Sequence, residues 1–159
     1  MEFPVRVYTE EEVRSARKLV QAGYRHPLII KGGIKFTAKV NDAIELVKVA
    51  DYYDFLTSFI RQITEIDGLT QLREADVSIW ANKFAVKNPV DAASLFVQKA
   101  NHMKEYLEGK LYYGGSAEKR SVEKRKDFLK SLKERSNRQE VIDECERLLK
   151  MWEESSLVY

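Results

Sequence analysis

Cysteine, histidine, proline and glycine are all scarce in this 159-residue chain, at one, two, three and seven residues. Each scarcity excludes something. With Cys145 as the sole cysteine, neither an internal disulfide nor a multi-cysteine zinc site can form, and a reducing compartment, the cytoplasm, is expected. Two histidines are too few for a bridged di-metal bundle built on Glu-x-x-His pairs: Lys99 stands three residues before His102, and His26 lies beside Pro27. No metal and no cofactor is therefore expected. So little Gly and Pro rules out a collagen-like or low-complexity chain. The longest stretches free of Lys, Arg, Asp and Glu are seven residues, Ala92–Gln98 and Leu111–Ala117. A membrane span needs about 20 apolar residues, so no membrane partner is expected. The phosphate-binding patterns GxxxxGK[ST] and GxGxxG are missing, as is the GxSxG nucleophile elbow. Lys31-Gly32-Gly33 and Gly114-Gly115-Ser116 are mere doublets, read as turns.

What is present describes a folded chain. Charged residues make up 33%, the apolar set 44% and aromatics 11%, with a formal net charge of +2. Low net charge with abundant aromatics argues against disorder, and the length suits one domain over 1–159. The charge is unevenly spread. Residues 81–138 carry 14 basic and 7 acidic side chains, whereas residues 139–159 carry 2 basic and 6 acidic. Two neighbouring helices of complementary charge would explain this, and so would a basic surface for nucleic acid.

Apolar periodicity predicts mostly helix. Thr9 and Glu12 form a capping-box pattern ahead of Val13, Ala16, Leu19 and Val20, with Gly23 as a stop, predicting a helix over 10–22. Residues 3–8 alternate like an extended segment. Residues 28–40 fit two descriptions. Leu28-Ile29-Ile30 and Ile34–Val40 about Gly32-Gly33 read as a β-hairpin; Phe36, Val40, Ala43, Ile44 and Val47 read as one helical face. Tyr52, Leu56, Phe59, Ile63 and Ile66, at spacings of 4, 3, 4 and 3, predict a helix over 51–66. Leu69, Leu72, Ala75, Ile79 and Trp80 predict another over 69–87. Asn88-Pro89-Val90-Asp91 reads as a helix start, with the buried face of 89–108 at Ala92, Phe96, Ala100, Met103 and Leu107. Ser116 opens a thinly apolar helix to Ser136, and Val141, Ile142, Cys145, Leu148, Leu149 and Trp152 line a last one. The expected fold is mainly α: a single-domain bundle of six to seven helices, with a short N-terminal β element within 3–8 and 28–40.

No motif names a chemistry. A buried Cys145 on an apolar stripe is an inert small hydrophobe. The catalytic candidates are carboxylates and their neighbours: Asp51, Tyr53, Asp54, Glu74 and His102, which an interhelical pocket would have to gather. Asp76, beside the apolar line, is expected to pair with Arg73. The nucleic-acid candidates are Lys119, Arg120, Lys124, Arg125 and Lys130 on the basic helix 117–138, with Tyr112 and Tyr113 as stacking groups. The expected function is that of a non-enzymatic helical interaction or assembly protein, pairing with itself or another protein through amphipathic helices. The alternatives are a nucleic-acid module using 117–138 and an enzyme with a carboxylate- and tyrosine-lined pocket.

Overall fold

A computed structural model describes residues 2–110 and 114–156. Six α-helices are present: α1 (Glu10–Gln21), α2 (Ile34–Val49), α3 (Tyr53–Phe59), α4 (Pro89–Leu107), α5 (Gly115–Arg135) and α6 (Gln139–Ser156). They are joined by a four-stranded sheet of β1 (Ile29–Lys31), β2 (Gln62–Ile66), β3 (Gln71–Arg73) and β4 (Ser78–Asn82), in the spatial order β1-β2-β4-β3. β1, β2 and β4 are parallel, with Ile30 opposite Ile63 and Ile63 opposite Ile79; β3 runs antiparallel to β4. The mainly helical expectation holds, and the β element is larger than expected, a small four-stranded mixed sheet.

Of two predicted helices, the second half of one and most of the other are strands. The 4-3-4-3 spacing of 51–66 is real as far as Phe59, and Leu56 and Phe59 are buried on α3. The chain then turns extended at Ile60 (φ −127°, ψ 125°). Ile60, Ile63, Thr64 and Ile66 are β-branched, which favours a pleated surface over a helix. In the 69–87 region the apolar spacing comes from two strands folded back through a 3₁₀ turn, Glu74–Asp76. That return forces buried Val77 into the left-handed region (φ 54°), which is uncommon for a β-branched residue.

Of the two readings of 28–40, the helical one describes the residues from Ile34 onward. Residues 29–31 do form a strand, but their partner is β2, and helix begins at Ile34. Phe36, Val40, Ala43, Ile44 and Val47 are all buried, as the helical face requires. Residues 3–8 bend at Val5 and join no strand; Val7 N–H donates to the Ala75 carbonyl at 2.8 Å.

Other predicted elements form for the reasons the residues suggest. Thr9 N–H donates to Glu12 Oε1 at 2.9 Å and Glu12 N–H to Thr9 Oγ1 at 3.2 Å, closing the capping box. Asn88 Oδ1 accepts from Val90 N–H and Asp91 N–H at 3.0 and 3.2 Å, with Pro89 next to the cap. The helix that follows, α4, is the axis of the molecule and packs against α1, α2, α3, α5, α6 and β3. Its small residues Ala92, Ala93 and Ala100 let neighbours approach, while Phe96, Val97 and Met103 fill the space between them. No helix among the described residues is long and apolar enough to cross a membrane.

Candidate functional site

In a sheet of parallel strands, the loops beyond the carboxyl ends converge on one edge, where binding sites of open α/β folds are built. Here these are the turns after β1, β2 and β4. The first is Gly32-Gly33, which enters α2. A Cβ on Gly32 would lie 2.5 Å from Phe36 Cδ1 and 2.9 Å from Glu65 Cβ, so this position admits only glycine. Glu65, on the neighbouring strand, accepts the Gly33 N–H at 2.8 Å. The carboxylate therefore sits on the positive end of α2. The Gly33 amide, one that a phosphate loop would offer to an anion, is already engaged by a side chain of the protein.

The Gly32→Ala variant should lose about 1–2 kcal/mol of stability through overpacking. Gly33→Ala is the control, since its Cβ would meet only Glu65 Oε1 at an ordinary 3.5 Å. Urea denaturation should show a lower midpoint for the first variant alone, at unchanged slope.

Asn82, at the end of β4, ties the other two loops together. Its Nδ2 donates to the carbonyls of Asp67 and Gly68 at 3.0 and 2.9 Å, and its Oδ1 accepts from Phe84 N–H at 2.9 Å. Asn82 N–H donates to Thr70 Oγ1 at 3.1 Å. Held this way, the turns present three apolar side chains to solvent: Ile34, 92% exposed, Leu69, 87%, and Phe84, 63%. With strands spaced about 4.8 Å apart, β1 and β4 are separated by only ~10 Å, so the three side chains share one end of the sheet. Exposed charges flank them, four lysines and, in the turn of Leu69, Asp67. Lys83 and Lys87 place Nζ 5.3 and 4.9 Å from the Phe84 ring centre, and Lys31 and Lys35 are exposed beside Ile34.

The residues singled out from sequence are placed differently. Of the basic set on α5, Lys119, Arg120 and Lys130 are exposed, although Arg120 is engaged by Glu105, and Lys124 and Arg125 turn toward other elements. Arg120 holds buried Glu105 through both carboxylate oxygens, at 3.1 and 2.9 Å, and Glu105 also accepts from Asn101 at 3.1 Å. Lys124 lies over the rings of Phe55 and Tyr52, 4.4 and 5.3 Å from their centres. Arg125 is buried between α4 and α5, donating to Asp91 Oδ1 at 2.8 Å and Ser94 Oγ at 3.0 Å and stacking on Trp152. A buried guanidinium with these partners is not presented to a phosphate. Tyr112 and Tyr113 lie outside the described residues.

The catalytic candidates are distributed rather than gathered. Asp51 occupies the left-handed turn after α2 (φ 63°). Tyr53 and Asp54 open α3; Asp54 pairs with Arg25, and Lys48 lies over the Tyr53 ring at 4.9 Å. Glu74 is in the 3₁₀ turn. His102, on α4, is 3.2 Å from Ser121 Oγ, and burial, then nearby Lys99, lowers its pKa. The expected Asp76–Arg73 pair is corrected: Arg73 stacks on Trp80 at 4.3 Å, while the Asp76 carbonyl accepts from Arg61 Nε at 3.1 Å. Cys145 is fully buried, and burial pushes its thiol up to about 11. Among the described residues, no group of three or more His, Cys, Asp or Glu side chains could hold a metal ion.

Sequence reasoning also missed a cleft of about 520 Å³ where α2 meets the amino ends of α4 and α6, lined in part by Asp42, Glu45, Arg138, Glu140 and Glu144. Two of its carboxylates have basic partners: Arg138 binds Glu140 at 2.9 Å, and Arg147 Nε binds Glu144 at 3.0 Å. Comparison with protein-family models, curated proteins and solved structures finds no match for this chain.

Proposed function

We propose that this is a self-associating interaction protein whose docking surface is the carboxyl end of its parallel strands. The observation that carries this reading is the convergence of Ile34, Leu69 and Phe84, each held out to solvent by a pinned turn, with exposed lysines beside Ile34 and Phe84 and exposed Asp67 in the turn of Leu69. Single exposed apolar residues are ordinary, but a group of them at one end of a fold with a polar rim is the anatomy of an interface. A second copy suits the chain's charge. With 27 basic and 25 acidic residues, two copies meet without strong mutual repulsion, and each brings acidic surface for those lysines. Amphipathic helices, expected from sequence to make the contact, spend their apolar faces inside the molecule.

Sedimentation velocity over a concentration series tests the proposal. The wild-type protein should gain mass with concentration, and a variant with Ile34→Ser, Leu69→Ser and Phe84→Ser should remain a single chain throughout. A wild-type protein that never exceeds one chain mass would overturn the reading. So would salt-sensitive binding of a single-stranded oligonucleotide, lost in Phe84→Ser, which would assign the patch to nucleic acid.

A further inference from the structure

At the opposite end of the sheet, residues 3–8 cross the starts of β2 and β4 and lie over His26, a side chain only 5% exposed. The imidazole is boxed by Phe3 and Tyr24, whose own rings stack with centres 5.2 Å apart. Its Nε2 has no hydrogen-bond partner. The backbone of His26 is tied to α3, its N–H donating to the Thr57 carbonyl at 2.8 Å. The segment above it is held more lightly. Among the described residues, its backbone before Val7 is hydrogen-bonded by Arg61 alone, which donates to the carbonyls of Pro4 and Val5 and, through Nε, to that of Asp76. Firmer anchorage begins at Val7, whose N–H donates to the Ala75 carbonyl and whose carbonyl accepts from Tyr106 Oη–H, each at 2.8 Å.

We propose that residues 3–6 are a proton-released strap: when His26 takes up a proton, Phe3 lifts from its ring and the strap leaves the sheet while the rest of the fold stays intact. A proton on Nε2 makes a charged donor with no acceptor inside an aromatic box, and such a group must reach water. The surrounding charges give it no relief. Arg61, from the start of β2, is a second cation whose charge acts on the ring. Arg25, on the same loop, is matched by Asp54 of α3. Asp76, before β4, favours the Arg61 cation instead. Glu2 and Arg6, on the strap itself, are exposed. The same proton therefore strains both attachments of the strap, the Phe3 ring contact and the Arg61 anchor. His26 is fixed through its backbone, whereas Phe3 lies near the end of a segment with one side-chain anchor, so the strap is the part that yields. Local opening of this kind draws on the least protected parts of a fold.

A proton-NMR titration of the full chain decides it. Cross-peaks between the Phe3 and His26 rings should disappear in step with protonation of His26, while the amide signals of α4 keep their dispersion. Cross-peaks that outlast the protonation would overturn the strap, and so would loss of the α4 dispersion at the same pH, which would make the event global unfolding. In Phe3→Ala the box is open from the start, so the His26 midpoint should rise by about one unit or more toward 6.5. An unmoved midpoint would show that Phe3 does not confine the ring. In His26→Phe the Phe3–Tyr24 cross-peaks should survive acidification through the same range; their loss would assign the trigger to another group. The wild-type titration stands as a test even where a variant folds poorly.

Discussion

Arg125→Ala is expected to destabilise the protein by about 3 kcal/mol, a large share of the roughly 5–15 kcal/mol that holds a domain together. Its guanidinium is 6% exposed and reaches Asp91, Ser94 and Gln98 from α5, with Trp152 of α6 against its face. Truncation leaves those partners facing an empty space and removes the link between three helices. The figure stands at the low end for a broken buried pair because the Asp91 side chain is about a third exposed, and water can take over part of its solvation. Arg125→Met separates the two contributions. It keeps the stem and most of the volume but drops the charge, leaving Asp91 and Ser94 without their partner, so a cost of about 2 kcal/mol is expected, the rest of the alanine loss being the empty space. Urea unfolding of both variants checks this. Equal and small losses would show that the α4–α5 seam does not depend on the buried cation.

The second large effect is acid sensitivity at His26. Its ring is packed edge-on against Phe3 at 4.4 Å and Tyr24 at 5.0 Å, and its Nε2 has no hydrogen-bond partner. Burial, with the Arg61 charge nearby, lowers its pKa from 6.5 to about 4. The neutral ring is therefore the folded form, while the unfolded chain takes up a proton at about pH 6.5. Between those values the unfolded state binds more protons, so stability falls as pH drops from 6.5 toward 4 and this contribution is level below that. The expected loss is about 2 kcal/mol after allowing for solvent screening. His26→Phe keeps the aromatic packing and removes the proton site. Its stability should be flatter than wild type between pH 6.5 and 4.5, above the range in which the paired carboxylates of Glu108 and Glu144 protonate. His102, also lowered by burial, remains in both proteins and cancels in the comparison. Parallel pH profiles for the two would contradict the assignment.

The helices with their own start signals were legible in the sequence. Thr9 with Glu12 and Asn88 with Pro89 are local devices whose hydrogen bonds form within four residues, so no tertiary knowledge is needed to read them. The sheet was not legible. Leu56, Phe59 and Ile63 keep a helical spacing across a helix-to-strand change, because Leu56 and Phe59 ride on α3 and Ile63 on β2, all turned to one core. Three-residue strands such as β1 and β3 carry too few residues for a period of two to stand out. Arg125 shows why the basic helix misled. A run of Lys and Arg reads as a surface, yet whether a guanidinium faces solvent or a neighbouring Asp91 is decided by packing. The docking residues were hidden for the opposite reason. Leu69 reads as the inward side of a helix and Ile34 as part of an alternating strand until the strands that precede them are known to end together. The only local hints were glycines just before Ile34 and Leu69, and at Gly32 the closeness of Glu65 explains the requirement.

Hydrogen–deuterium exchange at low and high protein concentration tests the central claim most directly. The turns 31–35, 67–70 and 83–87 should gain protection as concentration rises, while the exposed face of α5 bearing Lys119 and Lys130 should not change. Protection confined to that α5 face, or unchanged exchange at these turns in an associating protein, would contradict it.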